Sequence, residues 1–133
     1  MSTGSVDSGF VNADGLARLP QFSHAVVADD TIYVSGTLGT VAGSFDLAAG
    51  GVGPQTTQAL RNVENILAAA GSSSTDIVKV SVYLTDMTDF PEMNEAYSKV
   101  IGDPPPARIT LGVAELALGA VVEIECIATR RDG

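Results

Sequence analysis

A few positions in this chain carry side chains whose type and spacing go beyond what a core requires. Arg108 follows the run Pro104-Pro105-Pro106-Ala107 and opens an apolar segment. Proline fixes φ and stiffens the chain behind it. The guanidinium therefore leaves a rigid support at an element end, where binding groups are usefully held. A surface arginine at a strand start fits the same spacing. Glu123 and Glu125 alternate with Val122, Ile124, Cys126 and Ala128. On a strand the apolar set takes one face, and the two carboxylates share the other, about 7 Å apart. A solvated face accommodates that pattern. A face buried between subunits would make each carboxylate costly unless paired, which favours an interface or active-site role. His24 is the chain's one histidine, with an ordinary pKa near neutrality. It fits a packed, hydrogen-bonded strand residue, and on a strand it shares a face with Phe22.

Other chemistries lack their residues. One His and one Cys, far apart in the chain, cannot close a zinc site. There is no Walker loop, no G-x-G-x-x-G and no G-x-S-x-G elbow. Gly36-Thr37-Leu38-Gly39 lacks phosphate-cradle spacing and reads as a strand-ending turn or as a ligand-lining segment.

The elements that must position these groups follow from periodicity. Residues 1–20 are rich in Gly, Ser and Asp with weak alternation and read as a flexible N-terminal lead-in, leaving 21–133 as a single domain. Strand-like runs are predicted over 22–27 and 31–35, with at most a frayed strand around Phe45. Ala59, Leu60, Val63, Ile66, Leu67 and Ala70 form one stripe of a helix that Gly71 stops. Val78, Val80, Val82 and Leu84 alternate with polar residues as a half-buried strand. A second helix is expected from Asp89, with Glu92 completing a capping box and Phe90, Met93, Tyr97, Val100 and Ile101 as its buried stripe. Strands over about 108–114 and 121–129 complete the chain, with a turn near Leu118-Gly119. The order predicts an α+β fold, a mixed β-sheet with two helices packed on one face.

At 133 residues the chain has room for one core without staples. Hydrophobic residues at 45% and charged residues at 17% exclude disorder. Four Phe, three Tyr and no Trp leave the packing to small aliphatics. A net charge of −9 repels phosphate backbones, so no nucleic-acid partner is expected. An anionic metabolite can bind only where a specific arginine is aimed at it. The lone Cys126 excludes an intramolecular disulfide, no run approaches eighteen apolar residues, and no secretory pattern opens the chain. The expectation is a soluble, cytoplasmic protein with no membrane contact.

Tyr33-Val34-Ser35-Gly36, the helix over 55–71, residues 80–89, Pro106-Ala107-Arg108 and Val122-Glu123-Ile124-Glu125-Cys126-Ile127-Ala128 together resemble the reactive intermediate deaminase family (RidA/YjgF). The resemblance runs from about Phe22 to Arg130. It implies a chorismate-mutase-like fold, a homotrimer with clefts between subunits, and cofactor-free hydrolysis of small enamines and imines, converting 2-imino acids to 2-oxo acids and ammonia. Arg108 matches the family arginine that grips the substrate carboxylate, a task suited to a planar two-toothed donor. Glu123 matches the glutamate that holds the attacking water. Ser35 and Gly36 match the pocket-lining strand end, and Asn94 a further polar position, though a solvated helix residue reads the same way. The chain departs from the family at Phe22, where Tyr is usual, at His24, where Gln is common, and at Ile109, where Ser or Thr often follows the arginine. The resemblance puts Phe22 and His24 together on the wall of the cleft as substrate-binding residues, with a neutral His24 accepting a hydrogen bond from a substrate imine or a water. A non-catalytic trimer that captures small carboxylates is the alternative reading. It needs Arg108 but not Glu123.

Overall fold

Alternation of side chains decides the architecture at the last strand, where Val122, Ile124, Cys126 and Ala128 are buried and the residues between them are not. The computed structural model describes residues 3–130. In chain order its elements are β1 (Gly4–Asp7), β2 (Phe10–Ala13), β3 (Ala25–Ala28), β4 (Thr31–Leu38), α1 (Val52–Ala69), β5 (Ile77–Leu84), α2 (Phe90–Val100), β6 (Ala107–Gly112) and β7 (Val122–Thr129). The strands form one sheet in the order β1-β2-β3-β4-β7-β5-β6. β5 and β6 run parallel and every other neighbouring pair antiparallel. Both helices pack on one face, so the fold is α+β as expected.

The core lies between that face and the helices. Leu60, Val63, Ile66 and Leu67 of α1 and Met93 and Tyr97 of α2 meet Val80, Val82, Leu84, Val122 and Ile124 there. α1 ends where Gly71 takes φ 81°, and Ser72 N–H returns to the Leu67 carbonyl at 2.8 Å. That left-handed exit is one glycine adopts freely. Two buried amides of α1 then tie down strand ends. Asn62 Nδ2 donates to the Leu38 and Thr40 carbonyls at 3.0 and 2.9 Å, and Gln55 Oε1 accepts from Val121 N–H at 3.1 Å. Cys126 is buried on the core side. Burial, reinforced by the Glu125 charge, pushes its thiol up to about 12.

Several expectations are corrected. The N-terminal stretch is not a lead-in over its described part: β1 and β2 form a hairpin, and Val11 is fully buried in the core. Its first two residues, and residues 131–133 of the expected domain, lie outside the described residues. The strand predicted over 22–27 begins only at Ala25, and no strand forms at Phe45, where a single bridge joins Thr40 to Leu47. Val78 is exposed because an irregularity between Ile77 and Lys79 lets Ile77 take the buried side instead. The capping box of α2 is absent. Asp86 caps the short turn before it by accepting from Thr88 N–H at 2.9 Å, while Glu92 reaches across to accept from Gly53 N–H at 3.2 Å at the start of α1.

Val11→Ala should cost about 1–3 kcal/mol, since it opens a cavity under the hairpin. Val6→Ala, on exposed β1, should stay within about 0.5 kcal/mol. Denaturant titration of both variants measures the contrast, and equal effects would detach the hairpin from the core.

Candidate functional site

β3 pairs with only the first half of β4, so on that side residues 35–38 of β4 meet loops, while their other side stays on β7. The β4–β7 register slips between Val34 and Thr37, which bulges the chain at Ser35 and Gly36. Beside this bulge lies a cavity of about 660 Å³, walled by Leu19, Phe22, Phe45 and Leu118 and floored by Ser35, Gly36 and Glu123.

Glu123 is the one charged side chain on that lining among the described residues. It is half-buried, and no described residue donates a hydrogen bond to it. Burial, and after it the charge of Glu125, raises its pKa above the ordinary 4.5. Its carboxylate lies so close to Gly36 that a Cβ there would stand 2.7 Å from Oε2. Gly36 therefore makes room for the carboxylate. Glu125 is engaged differently: the Tyr83 hydroxyl donates to its Oε1 at 2.5 Å. Tyr83 lies opposite Glu123 in register and reaches the diagonal neighbour. The hydrogen bond to Glu125 is the first cause of a raised Tyr83 pKa.

His24 lines the cavity yet faces the backbone. Ala13 N–H donates to its Nδ1 at 2.9 Å, and Nε2 is directed at the Ala17 carbonyl 3.5 Å away. The acceptor nitrogen of the neutral ring is therefore occupied and not free to accept from a substrate. Desolvation lowers the pKa and keeps the ring neutral. The premise that Phe22 and His24 share a strand face also fails, because both precede β3, although both line the cavity. Ser35 is likewise turned to the backbone, its Oγ donating to the Ser23 carbonyl at 2.6 Å.

Arg108 and Asn94 are not brought to this cavity within one chain. Arg108 is in register with Val80 and Cys126 and points to the helix face, its guanidinium 4.8 Å from the Tyr97 ring centre and 5.6 Å from that of Phe90. Such stacking holds a cation in a fixed pose. Asn94 lies between Phe90 and Tyr97 at helical spacing and so belongs to the Arg108 side. From β7 to β6 is two strand spacings, about 10 Å, and Glu123 is three residues along from the Arg108 register, about another 10 Å. The two groups also point to opposite faces. Among the described residues no three His, Cys, Asp or Glu side chains cluster where a metal could be held.

The family model described as Endoribonuclease L-PSP matches residues 13–130. The chain belongs to this family, which includes the RidA/YjgF proteins. It is 43% identical over 114 residues to the 2-iminobutanoate/2-iminopropanoate deaminase of Bos taurus, covering 86% of this chain and 83% of that one. Among solved structures, RidA of an Antarctic Psychrobacter is 36% identical with a TM-score of 0.82, over 97% of this chain and 99% of that chain. Escherichia coli TdcF, solved with bound serine, is 31% identical with a TM-score of 0.81, over 90% and 94%.

Sequence reasoning missed Tyr83 and three of the four apolar walls, Phe22 being the exception. Tyr83 was legible as the residue facing the carboxylates once β5 and β7 pair. Leu19, Phe45 and Leu118 sit in connections without periodicity, and nothing in the sequence signals that they meet at one cavity.

The His24 geometry makes a stability prediction. With its folded pKa below the ordinary 6.5, neutral His24 contributes stability above that pH. The contribution is lost as pH falls through the folded value. His24→Ala should cost roughly 1–3 kcal/mol near neutrality by stranding the Ala13 N–H, and should flatten the acid side of the stability profile. Thermal melts from pH 7.5 to 5 check both, and a parallel pH dependence in the variant would remove His24 as the cause.

Proposed function

We propose that this family member is a chorismate-mutase-like homotrimer that hydrolyses 2-imino acids and their enamine tautomers to 2-oxo acids and ammonia, without a cofactor, in clefts shared between subunits. The observation that carries the reading is Glu123: an unpartnered carboxylate with a raised pKa, set in an apolar cavity and given room by Gly36. The deaminase name of the Bos taurus relative and the amino acid bound to TdcF support the substrate class. The endoribonuclease description carries over poorly to a chain of net charge −9.

A protonated imine carbon is already electrophilic, so positioning a water is most of the task. Glu123 takes a proton as the water oxygen bonds to that carbon and the C=N π electrons move to nitrogen. The same carboxyl returns the proton to nitrogen. The C–N bond then breaks, ammonia leaves, and the hydroxyl proton is lost as the carbonyl forms. Arg108, stacked on two rings, grips the substrate carboxylate from the neighbouring subunit. Its separation from Glu123 within one chain is what favours a shared site. Tyr33, Ile109 and Leu111, large and exposed on the sheet face opposite the helices, suit burial against other copies.

Ammonia release from freshly generated 2-iminopropanoate tests the activity, and light scattering should give about three times the 13.6 kDa chain mass. Arg108→Ala should lose about 1.5–3 kcal/mol of carboxylate binding. Glu123→Gln should cut hydrolysis roughly 10²–10⁴-fold while 2-oxo acids still bind. Co-refolding the two inactive variants should restore activity, because some mixed clefts regain both wild-type groups. No recovery would place the pair on one chain. Binding of 2-oxo acids without any turnover would favour the non-catalytic carboxylate binder.

Titration gives a further expectation. The acid limb of kcat/KM should lie above the ordinary glutamate range. Glu125→Gln, which removes a like charge, should move it to lower pH. A limb that does not move would separate Glu125 from Glu123.

A further inference from the structure

We propose that the substrate is a 2-imino acid with a large apolar side chain, leucine- or phenylalanine-like, received by the cavity beside Glu123. This rests on the imine-hydrolase reading and narrows it. A 2-imino acid with a methyl side chain has only a few heavy atoms, whereas about 660 Å³ lies within the range of pockets that enclose much larger ligands.

The walls have the chemistry for such a group. Leu19, Phe22, Phe45 and Leu118 are 52, 42, 47 and 54% exposed, yet all four line this one cavity. They are held in place rather than left to collapse. Arg18 Nη1 donates to the Leu19 and Phe22 carbonyls at 3.2 and 2.9 Å. The turn carrying Phe45 is closed by Val41 N–H to the Asp46 carbonyl at 2.8 Å and by Asp46 N–H to Ser44 Oγ at 3.1 Å. Leu118 is the most telling wall. It takes φ 62°, ψ 13°, a left-handed conformation that a bulky residue rarely adopts. A residue that is strained, apolar and exposed contributes little to the fold itself, and backbone outliers of this kind cluster at ligand sites.

Three of the polar side chains on the lining are turned away. Ser35 Oγ and Thr37 Oγ1 donate to backbone carbonyls at 2.6 and 2.8 Å, and both His24 nitrogens face the backbone. A polar or charged substrate side chain would find little to pair with, and an acidic one would meet the Glu123 charge. An apolar one loses nothing on entry.

The test compares imines generated in situ from alanine, leucine and phenylalanine by an L-amino acid oxidase with catalase. Each added methylene in an apolar pocket is worth about tenfold or more. The leucine- and phenylalanine-derived imines should therefore exceed the alanine-derived one in kcat/KM by at least about tenfold. Leu118→Gly suits the left-handed backbone, so the melting temperature should hold or rise while the ratio of large to small imine falls about tenfold. Calorimetry should find 4-methyl-2-oxopentanoate bound more tightly than pyruvate by a similar factor. Equal or faster turnover of the alanine-derived imine, as would follow if a neighbouring subunit plugs the cavity, overturns the side-chain inference and leaves the hydrolase reading standing. Turnover of none sinks the hydrolase reading, and the two 2-oxo acids then decide the cavity's preference by binding alone, equal affinities overturning it.

Discussion

A β-strand cannot bury one side chain without turning the next the other way, and β7 lies between β4 and β5, where that rule has its largest consequences. Burying Val122, Ile124, Cys126 and Ala128 under the helices leaves Glu123 and Glu125 on the opposite face. A shift of one residue would drive both carboxylates to the apolar core side, at the cost of desolvating two charges. The register is therefore pinned from both sides: Val34 and Cys126 meet across β4, and Val82 and Ile124 across β5. Gln55 and Asn62 then fix the ends of the two strands that floor the cavity.

Two like charges two residues apart would be an unproductive pair if both were free. Here they are made different. Glu125 accepts a short hydrogen bond from Tyr83 and stays engaged, while Glu123 faces an apolar wall without a donor. The same residue type in the same strand thus acquires two dispositions from its neighbours alone, the usual way a protein assigns distinct tasks to paired carboxylates. Arg108 is treated in the opposite manner. It is clamped on aromatic rings at the far edge of the sheet, which orient the cation, and among the described residues it forms no salt bridge.

Much of this was legible in the sequence, and the boundary has physical causes. β5, β7 and the stripe of α1 follow from periodicity that runs long enough to outweigh local noise. The carboxylates and Arg108 were found because they interrupt apolar patterns or follow a proline brake. The N-terminal hairpin was missed because Gly- and Ser-rich segments with short alternation look alike whether or not a sheet edge is waiting to receive them. Glu92 satisfied the spacing of a capping box, but Gly53 N–H offered a partner across the interhelical gap, and the long-range contact prevailed. His24 was read on a strand it does not occupy. Its neutrality follows first from burial. Cavity walls such as Phe45 and Leu118 come from loops, and nothing periodic announces a loop's destination.

The chain's only sulfhydryl sits in the core, with a pKa raised to about 12, and is protonated at any working pH. Thiolates rather than thiols react with maleimides and disulfide reagents, so the native protein offers almost no background to such labels. A cysteine introduced at an exposed position would therefore be the one reactive handle per chain. Spin labels or fluorophores could then be attached at a single defined point, and distances between copies could be read without first deleting a native residue.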